Sequence, residues 1–456
     1  MAEIIDRLES NVRNYARLFP TVFKTALGSR IFDEDGREFI DFFCGAGTVN
    51  YGHNCPDVNA AIVDYINSNG IQSSVDMATS SKVQFLEKFE QTILAPRDLD
   101  YRVQFPGPTG SSAVEAAIKL ARKQTGRSHI AAFTGACHGH TLGSLTLTSN
   151  RVVQSEFYGS QNNVTHLPYE NYWPGADSSE LLEKMLDDNG SGIPKPAAVI
   201  LETVQVVGGI NVASTKWLRR VAQTCQQRDT RLIVDDVQVG CGRTGQFFSF
   251  EQAGIRPDMI CLSKSIGGGL PMSMVLIRKE LDSWKPGEHA SSFRGNNLAF
   301  VAGRAVLDNW DNPSFELEVL QRGTRVKSVL EEIAAAATDF KMSVRGRGLI
   351  WGLDVGSSLI AKEVTELAFR RGLLLSAVGN SQQVIRCLPA LNIPLELLAH
   401  GLELLKNCVN DVLQFRRCIA RNESGVSGLD LVCDEQLSPP VCAAPTATGK
   451  EAVCRP

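Results

Sequence analysis

Between about residues 100 and 280 the chain alternates short apolar runs with stretches of helical spacing. The apolar runs lie at 102–105, 129–133, 198–201, 231–234, 259–262 and 273–277. Their brevity and near-continuous apolar character predict strands buried on both faces. Between them, Val114, Ala117 and Ala121 recur at helical spacing within 112–124, as do Leu218, Val221 and Cys225 within 214–227. Strands and helices in alternation predict a doubly wound α/β domain with a mostly parallel sheet. After about Asn309 the pattern changes to longer helical stretches, notably Phe315–Ala336, with strands expected around 343–353 and 384–388. From about Asn422 the chain is rich in Ser, Pro, Ala and Thr and loses apolar periodicity, which predicts a disordered tail.

Composition narrows the functional class without choosing one. A chain of 456 residues has room for two or three domains and a large core. Its net charge of −4 and 21% charged residues give no reason to expect nucleic acid or an anionic membrane as partner. Residues 1–17 mix Glu3, Asp6, Arg7, Glu9 and Arg13 with apolar residues, unlike a signal peptide, and no run long enough to span a membrane occurs. The 12 cysteines contain no Cys-x-x-Cys pair, so they are expected to be reduced thiols of a cytoplasmic protein, without a metal site.

Two strand ends carry the candidate chemistry. Lys264 follows the run Met259–Leu262 and precedes Gly267-Gly268-Gly269, a loop exit from which an amine can reach an aldehyde. Asp235 ends the run Leu232-Ile233-Val234, 29 residues earlier. A lysine that condenses with an aldehyde and an acid that keeps a ring nitrogen protonated are the two groups pyridoxal phosphate requires. Thr109-Gly110-Ser111-Ser112 opens the helix expected at 112–124, and a helix N-terminus with hydroxyls suits a phosphate dianion.

The stretch from Ile233 to Gly245, with Asp235-Asp236-Val237-Gln238 inside it, resembles the signature of the class III aminotransferases, the ornithine, acetylornithine and 4-aminobutyrate type. Leu262 to Gly269 resembles the lysine box of that family. Asp41 to Gly47, Val103 to Gly110, Trp284 to His289 and Phe293 to Asn297 are most similar to its L-2,4-diaminobutyrate:2-oxoglutarate members. The resemblance runs from about the N-terminus to Phe415. It implies a fold type I enzyme using pyridoxal 5′-phosphate. Residues 56–309 would form the large cofactor domain, 1–55 and 310–421 a small α+β domain, and 422–456 the tail.

The resemblance also implies roles. Lys264 would condense with the cofactor and later move a proton. Asp235 would pair with the ring nitrogen, Val237 would pack under the ring, and Gln238 would bond the phenolic oxygen. Gly110, Ser111 and Ser112 would hold the phosphate, joined by Ser292 from the neighbouring subunit, so a homodimer is expected. Glu202 matches a family glutamate near Gln238. Arg386 matches the arginine that takes a substrate carboxylate, for which a guanidinium is the right shape.

Three positions depart from the family pattern. Cys137 stands where an aromatic residue stacks over the ring, so either His138 moves over that face or the face lies open. Val206-Val207 replaces a Gly-Glu pair whose glutamate neutralises the arginine while an amino donor binds. His140 replaces the arginine with which ornithine-type members hold the α-carboxylate. The leading expectation is transfer of a terminal amino group from a diaminobutyrate-like amino acid to 2-oxoglutarate. The alternative is β- or γ-elimination or substitution on the same scaffold.

Overall fold

The computed structural model describes residues 3–150, 153, 154, 158 and 163–423. The tail from Asn422, with Cys433, Cys442 and Cys454, falls almost wholly outside them; the final helix, Leu395–Glu423, runs just past the expected boundary.

All six expected strands form, within a residue of their expected bounds, and a seventh joins them. Their order across the sheet is Tyr101–Gln104, Met274–Arg278, Met259–Leu262, Arg231–Asp235, Ala198–Leu201, Ile130–Phe133 and Val164–Leu167. Only Met274–Arg278 runs against both its neighbours; the other pairings are parallel, with Val234 beside Leu201 on one side and Ile260 on the other. Successive side chains enter opposite cores. Ile200 and Ile233 pack with Ala113, Val114 and Ala117 of the helix Gly110–Thr125. Leu201 and Val234 pack with Trp217, Leu218 and Val221 of the helix Thr215–Gln227. Helices thus cover both faces, which is why these strands read as continuous apolar runs.

A second body of structure joins the two ends of the chain. Leu373–Leu374 pairs in parallel with Glu38–Asp41, completing a four-stranded sheet with Phe23–Leu27 and Arg30–Asp33. A separate antiparallel sheet runs Ser343–Arg347, Ile350–Asp354, Val384–Cys387, Ser376–Val378. Ile40, Phe42 and Val58 share one core with Phe315, Val326, Leu353, Ile385 and Leu398. The fully buried Arg243 ties this body to the central sheet by donating to the carbonyl oxygens of Leu349 and Pro389 and to Asn50 Oδ1.

Candidate active site

Parallel strands deliver their loops to one edge, where α/β sheets bind ligands. Asp235 is the last residue of its strand, and Thr109, Cys137, His138, Glu202, Val237 and Lys264 follow the C-terminal ends of strands of the central sheet. With Gly110, Ser111, Gly139, His140, Val207, Gln238 and Val239 they line a cavity of about 250 Å³.

Asp235 is 6% exposed. Its Oδ1 accepts the Val237 N–H at 3.1 Å and its Oδ2 lies 2.7 Å from His138 Nδ1. His138 is itself buried. Burial works against its charged form, but the hydrogen bond and charge of Asp235, with Glu202 nearby, outweigh burial and raise its pKa. Among the described residues His138 Nε2 has no partner. The imidazole is therefore fixed behind the carboxylate and does not move over the cavity to replace the missing aromatic; that face is left to Cys137. The Cys137 thiol, pushed up to about 12 by burial and by Glu202, stays neutral.

Glu202 is no surface carboxylate. It is 6% exposed, accepts the Cys137 N–H at 2.9 Å, and is pushed up to about 7, chiefly by burial. The expected neighbour Gln238 turns elsewhere, donating from Nε2 to the Ala46 carbonyl at 3.0 Å. That bond links the cavity to the loop Cys44–Gly47, where Ala46 has a positive φ of 56°.

Lys264 also adopts a positive φ, 55°. An L-residue with a long side chain is strained there, and such strain collects at functional positions. Burial, with the positive charge of Arg386, lowers its amine to about 8. Arg386, 2% exposed on the strand Val384–Cys387, does not line the cavity itself but acts on Lys264 through its field. Its contacts are neutral: it donates to Ser376 Oγ at 2.8 Å, and the Phe43 ring lies 5.5 Å away. Among the described residues its Nε has no partner. Among the described residues no carboxylate pairs with Arg386, and Val207 stands at the cavity wall.

The helix Gly110–Thr125 begins two residues earlier than expected, so Gly110 and Ser111 lie in its first turn. Thr109, not a serine, is the cap: its Oγ1 accepts the Ser112 N–H at 3.3 Å. Ser112 turns its hydroxyl to Thr109, 3.0 Å away, and does not line the cavity. A Cβ on Gly110 would lie 2.7 Å from Val237 Cγ1, so only glycine lets the helix end approach this wall. Ser292 is exposed and apart from its own chain's cavity. Phe43 and Ala46 lie in the stretch from Asp41 to Gly47 that carries the resemblance but have no role expected from it, and Ser376 was not singled out; the contacts of Phe43 and Ala46 cross long separations in sequence.

These residues fit a small aromatic aldehyde bearing a phosphate. The first N–H groups of the helix have no acceptor within the helix and suit the dianion. Buried Asp235, held in place by His138, suits a protonated ring nitrogen, and Lys264 suits the aldehyde.

Comparison with known proteins agrees. The family model described as aminotransferase class-III matches residues 12–409. The chain is 48% identical to a diaminobutyrate–2-oxoglutarate transaminase of Wolinella succinogenes over 91% of its own length and 97% of that protein's. It is 49% identical to one of Bordetella parapertussis over 90% and 95%. The solved structure of ornithine aminotransferase from Toxoplasma gondii ME49 is similar in fold, with a TM-score of 0.80 at 23% identity over 90% of this chain and 94% of that one. A transaminase from Bacillus megaterium, described as S-selective, also gives 0.80 at 23% identity, over 90% and 97%. The chain belongs to the class III aminotransferases, enzymes of fold type I that work with pyridoxal 5′-phosphate.

Proposed function

We propose that this enzyme moves the terminal amino group of a small diamino acid, of the 2,4-diaminobutyrate kind, to 2-oxoglutarate. The observation that carries this reading is a half-buried amine at Lys264 in the cavity together with a buried guanidinium at Arg386 that no carboxylate among the described residues neutralises. A keto acid whose carboxylate sits on Arg386 brings its neighbouring carbon toward Lys264. The resemblance to diaminobutyrate transaminases over nine-tenths of the chain supports the choice of donor.

When bound, pyridoxal phosphate supplies an aldehyde that takes up the amine and a ring that draws electrons from the reacting carbon. Gly110 and Ser111, at the helix end, hold the phosphate. Asp235, held by Val237 N–H and His138, keeps the ring nitrogen protonated, and Val237 supports one face. Gln238 orients the phenolic side. Lys264, lowered to about 8, has a substantial unprotonated fraction at mildly alkaline pH and carries the proton to and from the substrate carbon. In this reading residues 56–309 hold the cofactor, while 1–55 and 310–421 form the smaller unit that contributes Arg386. The separate apolar core joining both chain ends supports that division.

Ser292 of one protomer reaches the phosphate held by its partner, so the active enzyme is a homodimer. In support, Ser292 adjoins Phe293, which is 68% exposed. The same segment bridges to Ser73 through Asn296, beside the exposed apolar residues Ile71, Val75 and Met77. The enzyme works in the cytoplasm, a reading supported by nine unpaired cysteines among the described residues. No helix among these residues is long and apolar enough to cross a membrane.

The test supplies the holoenzyme with L-2,4-diaminobutyrate and 2-oxoglutarate and identifies both products. Glutamate with the 4-aldehyde is expected; the 2-keto product would show that the other amine is removed. Light scattering should show a dimer or a multiple of it, and an active monomer would contradict the role given to Ser292.

A further inference from the structure

The cavity residue Val207 stands at the tip of a short hairpin, in which Val204–Gln205 pairs antiparallel with Asn211–Val212. The tip, residues 206–210, is held in a strained form. Ile210 is fully buried at a positive φ of 59°, a conformation that a β-branched side chain takes up only where its surroundings impose it. On one side the tip presses against a loop of the central sheet: a Cβ on Gly208 would lie 2.3 Å from the Gly135 carbonyl oxygen. On the other side it meets the antiparallel sheet that carries Arg386.

The register of that sheet puts two arginines in one row. Arg345 lies opposite Gly352, Gly352 opposite Arg386, and Arg386 opposite Ser376. Residues directly opposite one another across antiparallel strands share a face, so Arg345 and Arg386 project from the same side. On that side Ile350, Val378 and Val384 form a small apolar core with Val204, Val206 and Ile210 of the hairpin. Gly352 leaves a gap in the row for the strained residue, since a Cβ there would lie 2.9 Å from Ile210 Cδ1.

Two hydrogen bonds fasten the tip to the sheet. Arg345 Nε donates to the Gly209 carbonyl at 2.6 Å, and the Gly379 N–H donates to the Val207 carbonyl at 2.9 Å. Arg345 is itself oriented by Asp354, whose Oδ2 accepts from Nη2 at 3.0 Å in a partly buried pair. The wall at Val207 and the strand that bears Arg386 are thus set relative to one another by a side chain outside the cavity.

We propose that Arg345 is a positioning residue for substrate length: by fixing Val207 against the sheet that carries Arg386, it sets how long a carbon chain fits between the carboxylate receptor and the reacting carbon at Lys264. This deepens, and rests on, the reading of Arg386 as the carboxylate receptor. A fixed apolar wall discriminates one methylene by roughly 10- to 200-fold, and a wall free to shift gives up part of that.

The experiment measures dissociation constants of the unreactive dicarboxylates succinate, glutarate and adipate on wild-type holoenzyme, Arg345→Gln, Val207→Ala and the double variant. KM and kcat for 2-oxoglutarate and 2-oxoadipate are measured alongside. Arg345→Gln should bring the adipate and glutarate constants closer together by about tenfold, with the change in keto acid preference carried by KM. Val207→Ala should move the same ratio in the same direction, and the double variant no further than the larger single change, because both act on one wall. Equal weakening of all three dicarboxylates, or an unchanged ratio in Arg345→Gln, would overturn the proposal. So would an unchanged ratio in Val207→Ala, a result that decides even if Arg345→Gln does not fold. If wild-type enzyme binds the dicarboxylates yet does not use 2-oxoglutarate, the proposed function fails while the length ratios still decide the role of Arg345; if it binds none of them, both fall.

Discussion

Replacing Glu202 by glutamine should stabilise the cofactor-free protein above neutral pH and leave it nearly unchanged in acid. Glu202 is 6% exposed, and burial raises its carboxyl from the ordinary 4.5 to about 7. Between pH 4.5 and 7 the folded protein keeps a proton that the unfolded chain has released. Stability therefore falls as pH rises through that window, and the penalty is complete above 7. Each pKa unit corresponds to about 1.4 kcal/mol, so a shift of this size sets a ceiling of about 3 kcal/mol. The amide of the variant keeps the oxygen that accepts the Cys137 N–H and never ionises. Urea unfolding of wild type and Glu202→Gln, at one fixed protein concentration and at pH 5 and pH 8, measures the difference. The variant should be more stable at pH 8 by roughly 1–3 kcal/mol and close to wild type at pH 5. A variant less stable at pH 8, or a difference independent of pH, would mean that His138 and the Cys137 N–H stabilise the ionised carboxylate fully.

Two other substitutions probe the two ends of the cavity. Arg386→Ala should weaken 2-oxoglutarate binding by about 2–4 kcal/mol, read as KM or as glutarate affinity, and Arg386→Lys should not restore it, since an ammonium lacks the two-pronged geometry. Gly110→Ala should weaken cofactor binding by about 1–3 kcal/mol, measured by equilibrium dialysis, because the new methyl would sit 2.7 Å from Val237 Cγ1 at the wall of the phosphate site.

The inner strands of the central sheet were legible because they are buried on both faces and so read as apolar runs. Val164–Leu167 was not: an edge strand containing Thr165 and His166 has no such run. The N-terminal strands escaped for a different reason, since Leu373–Leu374, which completes their sheet, comes more than 330 residues later. The 29-residue helix Leu395–Glu423 was also not named, although its inward face is apolar from Leu398 to Leu413. At the site, Lys264, Asp235 and the helix end at Gly110 could be read from strand ends and glycines. The burial of His138 against Asp235, the turn of Gln238 to Ala46, and the contact of Phe43 with Tyr15 and Arg386 could not. Each depends on packing between segments whose sequences carry no mark of one another.

The most direct test of amino transfer is a single turnover: the enzyme loaded with the amine form of its cofactor is mixed with 2-oxoglutarate, and glutamate is measured against time. An arginine without a carboxylate partner should accept the keto acid readily, giving rapid glutamate formation with return of the yellow aldehyde form attached to Lys264. Failure to form glutamate, together with release of ammonia or another leaving group from the amino acid substrate, would contradict amino transfer and point to elimination or substitution on this scaffold.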